Sequence, residues 1–135
     1  MDIVSKEQRS RMMAAVRQRD TPAELTVRRA AHALGFRFRL NVRSLPGSPD
    51  IVFPKHRKVI FVHGCYWHRH KCKKATMPAS RIDFWKAKFE ANIRRDRRVI
   101  RELRKLGWKV LVVWECQTND IDRLMKAIEK FFDQS

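Results

Sequence analysis

A chain of 135 residues, 44% hydrophobic and 33% charged, has the length of one domain and enough Trp, Phe, Val, Ile and Leu to bury a core, which excludes a disordered polymer. Lysine and arginine number 31 against 14 for Asp and Glu, a net charge of +17. Nucleic acid is therefore the leading partner class, with an anionic membrane surface as its rival.

The first residues carry an acid and no apolar core, so no secretory signal is expected there. Residues 5–19 predict a short, mostly polar helix with Ser5 and Gln8 as a capping box, and residues 1–20 form a basic N-terminal arm. Residues 21–135 are expected to make one domain. Thr21-Pro22-Ala23-Glu24 is a stronger helix start, and Gly35 stops that helix after Leu34. Residues 36–40 alternate with period two, as a half-buried strand does. Two prolines and a glycine in 44–49 mark a tight turn. Residues 50–53 and 59–62 are short apolar runs suited to adjacent strands, joined by a basic turn over 54–58. An irregular loop rich in Cys, His and Lys spans 64–80. A long helix follows over 83–106, with Trp85, Phe89, Ile93, Ile100 and Leu103 as its apolar stripe and Gly107 as its stop. The most hydrophobic strand, 108–115, and an amphipathic helix, 121–132, close the chain. The apolar run at 110–114 is strand-sized, and no stretch approaches the ~18 apolar residues of a membrane span. The order α, α, β, β, β, α, β, α predicts an α/β fold, a mixed sheet flanked by helices.

The chemistry concentrates in His63-Gly64-Cys65-Tyr66-Trp67-His68-Arg69-His70-Lys71-Cys72. Thiolate and imidazole are the usual zinc ligands, and four close a structural tetrahedral site. Cys65, His70 and Cys72 share one loop, and Cys116 supplies a fourth ligand if its strand neighbours that loop. The alternative is buried, inert cysteines beside solvated histidines. An odd cysteine count among histidines argues against a disulfide framework and for a reducing, cytoplasmic compartment. With zinc so bound, His63 and His68 are left for acid–base work or for no role. Between Asp50 and Asp83 there is no acid, while Lys55, Arg57, Lys58, Arg69, Lys71, Lys73, Lys74 and Arg81 fall there. An acid in such a phosphate-binding stretch either holds a hard cation such as Mg²⁺ or caps the Pro-Gly turn. Asp96 falls on the long helix's apolar stripe, where it needs an arginine or an imidazole as partner.

Ser44–Leu45–Pro46–Gly47–Ser48–Pro49–Asp50, the run from Val59 through His68, the His70-Lys71-Cys72 that follows, and the run from Gly107 through Cys116 strongly resemble the very-short-patch repair endonucleases, the Vsr family. Met12-Met13, Arg19-Asp20-Thr21 and residues 92–98 fit the same pattern. The resemblance implies a restriction endonuclease-like fold and a nick 5′ to the thymine of a T·G mismatch, the product of 5-methylcytosine deamination. It implies Asp50 as magnesium ligand with the Val62 carbonyl, His63 and His68 as active-site histidines, and Asp96 as the partner of His68. Glu24 would lie close by, with its capping role as full competitor. Cys65, His70, Cys72 and Cys116 match the structural zinc ligands, and Tyr66, Trp67 and Met13 the side chains that wedge into the base stack. Tyr66 stands where Phe is usual, Val62 where a family member has Thr, and Arg69 and Lys71 make the loop more basic than the family pattern. A monomer suits a cut in one strand. The competing functions are a related zinc-containing nicking endonuclease for another lesion or site, and a non-catalytic zinc-stabilised nucleic-acid-binding module. Trp67 packed inward over the zinc loop is the alternative to a wedge.

Overall fold

A computed structural model describes residues 21–65 and 80–133. The expected helix over 5–19 lies outside them. Helix α1 (Pro22–Ala33) starts as its sequence dictates: Thr21 is extended, and its Oγ1 accepts the Glu24 N–H at 3.2 Å. It ends in a glycine motif, with Gly35 at φ 87° and the Phe36 and Gly35 N–H groups donating to Ala31 and His32 carbonyls. Helix α2 (Ile82–Lys105) ends the same way at Gly107, through Trp108 to Leu103 and Gly107 to Arg104. Helix α3 (Ile121–Asp133) starts at Asp120, whose Oδ1 accepts the Arg123 N–H at 3.1 Å.

Strands β1 (Arg39–Leu40), β2 (Ile51–Phe53), β3 (Lys58–His63) and β4 (Lys109–Trp114) lie side by side in chain order. The first two pairings are antiparallel. β3 and β4, joined through α2, are parallel, with His63 opposite Trp114. The sheet is mixed, as expected. Alternate residues feed two cores. Ile51, Phe53, Ile60 and Val113 pack with Val27, Ala31, Leu124 and Ile128 of α1 and α3. Val52, Val59 and Phe61 pack with Leu103 and Val99 of α2. A sheet covered on both faces needs continuous apolar runs, which is why β2 is buried at every position.

Three expectations change. Only Arg39–Leu40 of the 36–40 segment pairs as a strand. Its alternation instead serves packing, with Phe36 stacked on Phe132 at 3.8 Å and Phe38 edge-on to Phe53. The buried stripe of α2 keeps Phe89 and Leu103 and adds Asn92, while Trp85, Ile93, Asp96, Val99 and Ile100 are all half-buried. Lys58 does not belong to a basic surface. It is 5% exposed, donates to the Phe131 carbonyl at 2.7 Å and lies against the Phe131 and Phe132 rings. Arg57 likewise stacks on Trp108 and donates to the Leu106 carbonyl at 2.8 Å, so both cations cap helix C-termini. A short 3₁₀ helix, Glu115–Asn119, follows β4 and was not evident in the sequence.

Candidate active site

The C-terminal ends of the parallel strands β3 and β4 coincide, and the start of the antiparallel β2 reaches the same end. Extending the β2–β3 register brings Pro49 opposite Val62. Proline has no N–H, so the ladder stops there. The Asp50 carboxylate takes over: its Oδ2 accepts the Val62 N–H at 2.7 Å. Gly47 makes this placement possible. At φ 72° it lies against Val99 of α2, and a Cβ there would collide with that side chain.

Helix α1 turns Glu24 inward, 5% exposed, on the face that also buries Val27 and Ala31. Its Oε2 accepts from Arg28 Nη2 at 3.2 Å, a pair almost wholly out of solvent. Burial pushes the Asp50 carboxyl up to about 7; the Val62 N–H opposes this, the Glu24 charge adds to it, and Arg28 offsets part of that charge. His63, 7% exposed, ends β3 between the rings of Phe61 and Trp114, at 5.7 and 5.3 Å. Two carboxylates, a guanidinium and an imidazole thus gather at one end of the sheet.

The family model for DNA mismatch endonuclease Vsr matches residues 1–74. The type II nicking enzyme V.XorIIP of Xanthomonas oryzae pv. oryzae is 46% identical over 134 residues, covering 99% of this chain and 98% of its own. The Escherichia coli DNA mismatch endonuclease Vsr is 44% identical, covering 91% of this chain and 79% of its own. The Neisseria meningitidis nicking enzyme V.NmeAIP is 38% identical over 135 residues, covering 95% and 96%. The chain belongs to the Vsr family. It is accordingly a DNA endonuclease.

Of the residues expected in a Vsr site, the structure brings together Asp50, Val62, Glu24 and, at the same strand ends, His63. Asp96 is half-buried on the α2 face that also carries Asn92. His68, Tyr66, Trp67, His70, Cys72 and Met13 lie outside the described residues. Cys65 is fully buried, and its Sγ accepts the Cys116 N–H at 3.4 Å, the parallel β3–β4 pairing having carried both chains to that point. Neither cysteine is in a disulfide.

Hard oxygen donors on half-buried Asp50 beside buried Glu24 suit Mg²⁺, because a cation offsets both the burial cost and the Glu24 repulsion that raise the Asp50 pKa. Two neighbouring thiols suit zinc. Among the described residues no group of three metal-binding side chains occurs, so the structure supplies half of the expected zinc set. Sequence reasoning missed Arg28. The signal for it was its position four residues after Glu24 on one helix face.

Proposed function

We propose that the protein nicks one strand of duplex DNA 5′ to the thymine of a T·G mismatch, using Mg²⁺, and that a structural zinc holds its recognition loop. The observation that carries this reading is the Asp50 carboxylate fixed on Val62 N–H beside buried Glu24. A binding module gains nothing from a half-buried Asp50 beside a buried Glu24 in a chain of net charge +17.

Asp50 and the Val62 carbonyl would hold the magnesium. When bound, it polarises the scissile phosphate and offsets charge developing there. The Val62 N–H orients Asp50, and Arg28 steadies Glu24 near it. His68 takes the proton from the attacking water, and Asp96 orients its ring and stabilises the imidazolium. His63, packed between Phe61 and Trp114, lines the same strand ends. Cys65, His70, Cys72 and Cys116 are the zinc set, a closed site without an open position for hydrolysis. Residues 1–20 act as an arm whose Met13 joins Tyr66 and Trp67 in wedging the stack, on one domain spanning 21–135. The enzyme works as a monomer on one strand.

The test is incubation with Mg²⁺ and two duplexes that differ only in a T·G against a T·A pair. Nicking confined to the T·G duplex is the expected result. Asp50→Ala should abolish it while leaving duplex affinity intact or raised, since a negative charge leaves a basic surface. Near wild-type nicking by Asp50→Ala overturns the assignment, and cutting of both duplexes favours the related site-specific nickase.

A further inference from the structure

The end of the sheet opposite the candidate active site carries a second feature. β4 is an outer strand of the sheet, and among the described residues no strand pairs with its outer side. A groove of about 660 Å³ follows that side. It is lined by consecutive residues 107–111, by α2 from one face of the sheet and by α3 from the other, so it lies along the strand's open edge. Its floor is apolar, with Val110, Leu111 and Phe131, and its rim carries Arg104, Lys109 and Lys130. Among the described residues none of these cations is in an ion pair. An open strand edge offers the N–H and C=O of every second residue, about 6.6 Å apart, to any extended chain that can pair with it.

We infer that this groove docks an extended segment of a partner protein that presents both acidic and apolar residues on each of its two faces, added to the sheet as a fifth strand beside β4. Each part of the groove matches one part of such a segment. The strand edge takes its backbone; Val110 and Arg104 meet the side chains on the α2 face, and Leu111, Phe131, Lys109 and Lys130 those on the α3 face. Other occupants fit less well. Residues 1–20 and 66–79 of this chain both carry more Lys and Arg than Asp and Glu, and a second copy brings +17 against the same cations. A DNA duplex presents phosphates and gains nothing from the groove's apolar residues.

The probe is an acetylated eight-residue peptide of repeating Glu-Glu-Val-Val, which puts both residue types on both faces of a strand, titrated calorimetrically into the full-length protein. Three comparisons accompany it: the same peptide with Lys for Glu, the Glu–Val peptide N-methylated at alternate amides, and the R104E/K130E protein. All three should bind at least tenfold more weakly. R39E/K55E makes the same change of charge at the other side of the sheet and should bind the Glu–Val peptide as the wild type does. R104E/K130E should still nick a T·G duplex at a rate within about threefold of the wild type. Failure of the Glu–Val peptide to bind overturns the inference, as does indifference to N-methylation, which is read on the unaltered protein. Equal losses in R104E/K130E and R39E/K55E would reduce the effect to overall charge. If R104E/K130E loses duplex affinity as steeply as peptide affinity, the groove belongs to nucleic acid instead.

Discussion

Asp50 shows how a carboxylate at the proposed active site is made costly. Its proton is held more tightly in the folded chain than in the unfolded one, so the metal-free protein loses stability as pH rises from 3.8 towards about 7. The side chain is only half-buried, so solvent screening reduces the effect to about 1–2 kcal/mol. In chelator, Asp50→Asn should therefore raise the urea midpoint at pH 7.5 and leave it nearly unchanged at pH 4, and an equal shift at both pH values contradicts this account. Trp67 is expected to act on recognition. Stacking contacts are worth roughly 1–3 kcal/mol per base. Trp67→Ala should cost T·G preference about tenfold or more and nonspecific affinity little, measured on T·G and paired duplexes at one salt concentration. Equal losses on both would make Trp67 a structural support.

The elements around the site are positioned by their ends more than by their middles. The 44–49 turn reaches Asp50 only because Gly47 tolerates φ 72° and lies against Val99. Gly47→Ala should cost about 2–4 kcal/mol, from the backbone conformation together with overpacking against α2. Nicking should fall further than the unfolded fraction explains, because Asp50 follows three residues later. Chemical denaturation and single-turnover rates on the same preparation separate the two effects. At the far end of the sheet, Arg57 and Lys58 cap α2 and α3. Arg57 and Lys58 are thus structural devices, which makes Arg69, Lys71, Lys73 and Lys74 the cations proposed to bind phosphate.

Across the molecule, the proposed active site and the paired cysteines share the ends of β3 and β4. The same parallel pairing that places His63 opposite Trp114 brings Cys65 to Cys116 two residues later. Zinc at that junction would tie the recognition loop to the last strand and supply folding energy directly. Freshly purified protein should contain one Zn²⁺, and Cys116→Ser should lower Tm by several degrees, with activity falling as a consequence. Zinc-free folded protein by elemental analysis would remove this proposal. The net charge of +17 belongs to the whole surface, so affinity for any duplex should fall steeply with salt.

Local signals were enough for the helix ends, because Thr21, Pro22, Gly35 and Gly107 act through their own backbone and nearest neighbours. Apolar runs likewise announced β2, β3 and β4, since strands covered on both faces must be apolar throughout. The acid isolated at Asp50 and the Cys–His loop were visible for a similar reason: their residue types conflict with their surroundings in the chain. Pairing across distance was not legible. No local pattern says that Glu24 and Arg28 close on Asp50, or that Arg57 and Lys58 turn inward to helix ends. The stripe of α2 also depended on how the helix rotates against the sheet, which packing with Val52, Val59 and Phe61 fixes. Periodicity reports which residues share a face; burial and charge compensation, which act between elements far apart in sequence, fix what that face meets.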